Sequence, residues 1–129
     1  MINNGIIKIL DFGLCKQMES EDTRIELTSQ GVGTYWYLPP ETFFDFDNQV
    51  SCKVDIWSVG VIFFELLYGR RPFGHGISQS KIFNEGIIVK AIKVDFPDHP
   101  PVRHKVSEAA KKFIKACLTY DQDQRIGPL

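Results

Sequence analysis

Apolar and polar residues fall in unequal blocks along this chain, and each block predicts a different element. Ile6-Ile7-Lys8-Ile9-Leu10 follows Asn3-Asn4-Gly5, which reads as a short strand entered from a hairpin turn. Such a hairpin needs an earlier strand, and almost nothing precedes the turn, so the pairing strand is expected upstream of Met1. Lys16 to Gln30 is polar, mixed in charge and aperiodic, which predicts a long exposed loop of the kind that is functional or disordered. Pro39-Pro40 argues against helix there and for extended chain.

The densest apolar block runs from Val54 to Tyr68. Ser51 can cap a helix there, and Gly69 can end it with Pro72 just beyond. Ile56, Trp57, Val59, Val61, Ile62, Phe63, Phe64, Leu66, Leu67 and Tyr68 leave no polar face, so the helix is expected to be buried on every side. Asp55, Ser58, Gly60 and Glu65 interrupt it, and it is too short and too polar to span a bilayer.

Arg70 to Gln79 reads as a Gly-bearing loop, and Ser80 to Ile92 as a weaker helix spoiled by Gly86. Val94-Asp95-Phe96-Pro97 and Pro100-Pro101 are extended connection. Ser107 caps a last helix, with Ala109, Ala110, Phe113, Ile114, Cys117 and Leu118 on its buried face. Lys105, Lys111, Lys112 and Lys115 form its solvated side.

With 129 residues, 43% of them apolar and 24% charged, the chain is one globular domain or part of one. Its formal net charge of −1 offers no chain-wide attraction for nucleic acid or an anionic membrane. Cys15, Cys52 and Cys117 lie far apart and odd in number; no metal spacing or disulfide framework is visible, which points to reduced thiols in an intracellular protein. The amino terminus lacks the pattern of a secretory signal. His75, His99 and His104 have no metal-ligand spacing, and Gly31-Val32-Gly33 lacks the third glycine of a nucleotide loop.

The candidate chemistry begins at Asp11-Phe12-Gly13. Phosphoryl transfer needs divalent cations bridging nucleotide phosphates, and magnesium prefers carboxylate oxygen. Asp11, at the end of a strand, can supply it. Gly13 lets the backbone turn, and Phe12 can dock into an apolar slot to aim Asp11. The tripeptide alone carries little information. Followed by a polar loop, then Gly33-Thr34-Tyr35-Trp36-Tyr37-Leu38-Pro39-Pro40-Glu41, then Asp55-Ile56-Trp57-Ser58-Val59-Gly60 in a buried helix, it carries a great deal.

In that order the motifs resemble a eukaryotic protein kinase. The wider stretches Leu27 to Glu41, Lys53 to Phe64 and Leu67-Tyr68-Gly69-Arg70-Arg71-Pro72-Phe73-Gly74-His75 resemble more closely the Tousled-like serine/threonine kinases. That group shares Pro39-Pro40-Glu41 where most kinases have Ala-Pro-Glu. The resemblance implies an α+β, mainly α, protein-kinase-like fold. Residues 1–129 would then be a partial kinase domain, from the last β-hairpin strand to near the end of the large C-terminal lobe. The activation segment would be residues 11–41, and the large-lobe helices would occupy about 51–129.

The resemblance also implies roles. Gly33, Thr34 and Tyr37 would receive the polypeptide substrate after its phosphoacceptor, and Thr34 marks the serine/threonine type. Glu41 would pair with Arg125. Asp55 would hold the backbone of a catalytic loop. Ser20, Thr23, Thr28 and Ser29 are candidate phosphosites, with Lys16 and Arg24 as receivers of the phosphate. The cofactors would be ATP and Mg2+, with Asp11 as a metal ligand. The partners would be protein substrates linked to chromatin, with neither nucleic acid nor membrane bound directly, in an intracellular, nuclear protein.

The sequence has no glycine-rich loop, no ATP-binding lysine and no His-Arg-Asp catalytic loop, so no complete catalytic set is expected. Two functions follow: a serine/threonine kinase seen as a piece inactive alone, or a catalytically dead module that binds substrates or partners. In the family a further helix covers one side of the central helix. The chain by itself is therefore expected to be marginal, aggregation-prone or dependent on a partner.

Overall fold

The computed structural model describes residues 2–20, 23–26, 34–44, 49–98 and 105–128. Two short antiparallel ladders accompany three α-helices. Strands β1 (Ile2–Asn3) and β2 (Ile6–Ile7) pair Ile2 with Ile7 and Asn3 with Ile6. Asn4 and Gly5 between them both have positive φ, 50° and 76°, the geometry of a two-residue hairpin turn. The partner strand expected upstream of Met1 is thus Ile2–Asn3. The ladder stops at Ile7, and Ile6, Ile7, Ile9 and Leu10 are all more than half exposed.

The expected loop contains β3 (Ile25–Glu26), which pairs with β4 (Gln49–Val50). No alternation marked these two-residue strands in the sequence. Burial of Val50 and two side-chain ties hold them: Lys16 Nζ donates to the Glu26 carbonyl at 3.1 Å, and Arg24 pairs with Asp123.

Helix α1 (Lys53–Tyr68) is central. Ser51 Oγ accepts from the Lys53 amide at 3.3 Å. Gly69 closes the helix at φ 66°, donating its N–H to the Glu65 carbonyl. Trp57, Val61, Phe64 and Tyr68 are buried, whereas Val59, Ile62 and Leu66 are 47%, 48% and 67% exposed. The expectation of burial on every side is therefore corrected. Asp55, Val59, Ile62 and Leu66 recur at helical spacing and form one stripe that no described element covers.

Helix α2 (Gln79–Asn84) is shorter than expected. Ser78 caps it, and Gly86 at φ 60° turns the chain away. Helix α3 (Glu108–Cys117) starts as expected, Ser107 Oγ accepting from the Ala110 amide at 3.2 Å. Ile114, Cys117 and Leu118 are buried, but Phe113 is 41% exposed and Ala109 is also exposed. Lys111 is drawn back to Glu108 at 2.9 Å.

Helices α1 and α3 approach closely at Gly60, where a Cβ would lie 2.7 Å from Cys117 Cβ. Trp57, Val61, Phe64, Tyr68, Ile82, Ile88, Val94, Val106, Ile114 and Leu118 form one core. Trp57 stacks on Phe73, and Phe96 packs against Phe64 and Tyr68. Among the described residues no helix is long and apolar enough to cross a membrane.

Candidate substrate ledge

The segment from Thr34 to Phe43 is two short 3-10 turns, Tyr35–Tyr37 and Pro40–Phe43. Pro40 was expected in extended chain. It opens the second turn instead, a position where the missing N–H leaves no bond unmade, while Pro39 stays extended at φ −76°, ψ 162°. Thr42 returns both its amide and its hydroxyl to the Pro39 carbonyl, at 3.1 and 2.7 Å.

Glu41 is buried inside this second turn. Its carboxylate receives Arg125 as a fork: Nη1 to Oε1 at 2.7 Å and Nη2 to Oε2 at 3.0 Å. Arg125 is 2% exposed, and each of its remaining N–H groups finds a carbonyl. Nε donates to Thr119 at 2.9 Å, Nη1 also to Lys53 at 3.1 Å, and Nη2 also to Tyr120 at 3.2 Å. All five guanidinium donors are thus used. The plane lies 5.0 Å from the Trp57 ring centre. One side chain ties the Pro-Glu turn, the start of α1 and the end of α3 together.

The first turn is fastened separately. Trp36 Nε1 donates to the Gly74 and Ile77 carbonyls, both at 3.0 Å, and Arg71 lies 4.2 Å over the Trp36 ring. Tyr37 reaches α1 twice: its hydroxyl donates to Glu65 Oε2 at 2.8 Å, and its carbonyl accepts from Ser58 Oγ at 2.9 Å. Burial first, then the Glu65 hydrogen bond, holds the Tyr37 phenol above its ordinary pKa. Thr34 is extended (φ −102°, ψ 101°) and exposed, with no side-chain capping bond. The ledge therefore has, at its open end, an exposed Thr34 hydroxyl with no capping bond among the described residues, on a braced backbone.

Sequence reading missed Ser58, Glu65, Arg71 and the anchoring role of Trp36. For Ser58 and Glu65 the signal was a polar residue inside an apolar helix block. Gly33, Thr28 and Ser29 lie outside the described residues.

Asp11 has φ 67°, and its Oδ1 accepts from the Gly13 amide at 3.3 Å. It is exposed. Phe12 was expected in an apolar slot, and this too is corrected: the ring is 67% exposed, and no described residue encloses it. Asp55 is exposed on the first turn of α1, where a carboxylate favours the helix dipole. Ser20 and Thr23 close a turn on each other, Oγ to Oγ1 at 3.0 Å. Of the two expected phosphate receivers, Arg24 is engaged by Asp123 and Lys16 by the Glu26 carbonyl. Among the described residues no three His, Cys, Asp or Glu side chains gather as a metal cluster. Asp11 does provide the hard oxygen that magnesium takes.

A sequence profile of the protein kinase domain matches residues 1–129. The chain belongs to the protein kinase domain family. It is similar to serine/threonine-protein kinase tousled-like 1 of Caenorhabditis elegans, 51% identical over 126 residues, which are 95% of this chain and 13% of that protein. It is also similar to serine/threonine-protein kinase TOUSLED of Arabidopsis thaliana, 51% identical over 124 residues (94% and 18%). To human serine/threonine-protein kinase tousled-like 2 it is 52% identical over 128 residues (95% and 16%). The chain thus spans less than a fifth of the length of these relatives. In this kinase family member, the segment from Thr34 to Glu41 is braced by hydrogen bonds from Trp36, Tyr37, Ser58 and Arg125.

Proposed function

We propose that this chain forms the substrate-receiving part of the large lobe of a Tousled-like serine/threonine protein kinase, with the activation segment at residues 11–41. The supporting observation is the ledge itself. Thr34 presents an exposed hydroxyl, while Tyr37 is pinned to Glu65 and Ser58, and Glu41 to Arg125. Such preorganisation holds an extended polypeptide in register with little ordering cost. The reaction would be transfer of the ATP γ-phosphate to a protein serine or threonine. Asp11 would hold the magnesium that neutralises phosphate charge when nucleotide is bound.

The 129 residues by themselves are proposed to be inactive. The ledge is braced without any contribution from Asp11, which also supports a second reading: a module that binds polypeptide without catalysis. Chromatin-linked protein substrates and a nuclear location are proposals resting on the Tousled-like resemblance.

Calorimetry with magnesium-ATP separates the readings. Micromolar binding that Asp11→Ala abolishes would show that the chain carries a working nucleotide site and would overturn its inactivity alone. Retained binding of a serine-containing substrate peptide, weakened by Tyr37→Ala but not by Asp11→Ala, would support the ledge. Imaging of the tagged chain in cells tests the nuclear location.

A further inference from the structure

A second concave surface shares no residue with the ledge. Ile92, Val94 and Leu118 floor an open groove of about 510 Å3 between the connection after α2 and the end of α3. Val94 and Leu118 belong to the core, at 6% and 3% exposure, whereas Ile92 is 74% exposed. The lining is therefore packed into the core on one side and leaves the Ile92 side chain facing water on the other.

Lys93 and Lys115 stand on the rim, opposed by Asp121. Asp121 already spends Oδ1 on the Asp123 amide at 2.9 Å. Lys93 has one loose contact, 3.8 Å to Asp95, with both side chains more than four-fifths exposed, a pair of little worth. Lys115 lies 5.6 Å over the Phe96 ring, and among the described residues no carboxylate comes within ion-pair distance of it. Lys112, exposed one turn earlier on α3, adds to the same positive field. The groove thus has apolar lining, and around its edge Lys93, Lys112 and Lys115 outnumber the carboxylates of Asp95 and Asp121.

A site this open cannot enclose a small ligand, which needs most of its surface buried. It does match the anatomy of a protein contact, with an apolar anchor in a depression and a charged rim. We propose that the groove docks an extended acidic segment of a partner protein. One bulky aliphatic or aromatic side chain would sit against Ile92, Val94 and Leu118, and flanking Asp or Glu side chains would meet Lys93 and Lys115. Rim charges of this kind set specificity and association rate.

The test uses the 129-residue chain and a short fluorescein-labelled peptide, a central Leu flanked by Asp and Glu, followed by anisotropy. Saturable binding that weakens with added salt is expected. Reversing both rim charges, Lys93→Glu with Lys115→Glu, should weaken it about tenfold, and Ile92→Ser should weaken it severalfold. All three positions are exposed, and circular dichroism verifies that the variants fold. The proposal is overturned if binding does not saturate or if the double charge reversal leaves it unchanged. It is equally overturned if a peptide with Ser in place of the central Leu binds as tightly, which would mean charge attraction without a groove. Tighter binding of a Lys-flanked version would exclude the acidic partner.

Discussion

Glu41 and Arg125, 84 residues apart in the chain, meet as a buried bidentate ion pair, Nη1 donating to Oε1 and Nη2 to Oε2. Burying two charges costs desolvation that their attraction only just repays. Three backbone carbonyls complete the arginine's shell, so the pair is fully satisfied and holds the turn of the ledge to the end of α3.

Breaking that pair from one side leaves the partner charged and unmatched. Arg125→Ala or Glu41→Ala should each cost ~3–5 kcal/mol, read as a lower urea midpoint. The double variant should cost clearly less than the sum, because neither charge is then stranded. Additive losses would mean the two residues act independently.

Gly60 tests helix packing. Alanine is the better helix former by ~1 kcal/mol, yet its Cβ would lie 2.7 Å from Cys117 Cβ and 3.0 Å from a Leu118 methyl. Overpacking of this kind costs ~1–3 kcal/mol, so Gly60→Ala should lower the melting temperature. Gly60→Val should lower it further. A rise would show that α3 moves aside freely.

Tyr37, Tyr68 and Tyr120 all have phenols raised above the ordinary 10.0, with burial the first cause in each. Their neutral form is favoured in the folded state, so their contribution is complete below pH 10. It is lost as pH climbs through the raised folded values, because the unfolded chain gives up protons the native chain keeps. Urea midpoints should therefore fall on the alkaline side of pH 10, with phenolate absorbance appearing alongside. Tyr37→Phe should flatten that fall and cost about 1 kcal/mol at neutral pH for the lost Glu65 bond.

Cys117 is buried with its thiol pushed up to about 11 by desolvation, whereas Cys15 is exposed. The thiolate is the reactive form. At neutral pH a disulfide reagent should label Cys15 quickly and Cys117 only after urea is added. Early labelling of Cys117 would place it outside the packed interface of α1 and α3.

Val59, Ile62 and Leu66 form an apolar stripe in water, a surface that promotes association. Ile62→Lys with Leu66→Lys should raise solubility, measured by light scattering, while leaving the melting temperature within about 0.5 kcal/mol equivalent. A large loss of stability would show that the stripe is covered.

Local chemistry made much of this protein legible from its residues. Asn4-Gly5 sets a two-residue turn because both positions tolerate positive φ. Ser107 starts α3 and Gly69 ends α1 because their caps need no distant partner. The order of motifs from Asp11 to Arg125 carried the kinase resemblance. What stayed hidden depended on neighbours far along the chain. The β3–β4 ladder is too short to alternate. Pro40 accepts a 3-10 turn once Glu41 is drawn inward to Arg125. The exposure of Phe12 and of the stripe on α1 was not legible because composition states how apolar a segment is but not which element lies against it. Tyr37 meets Glu65, and Trp36 meets the Gly74 and Ile77 carbonyls, only when α1 and the loop after it are packed. Spacing along a chain encodes periodicity and caps; contacts between distant segments are settled by packing in three dimensions, where shape and burial decide.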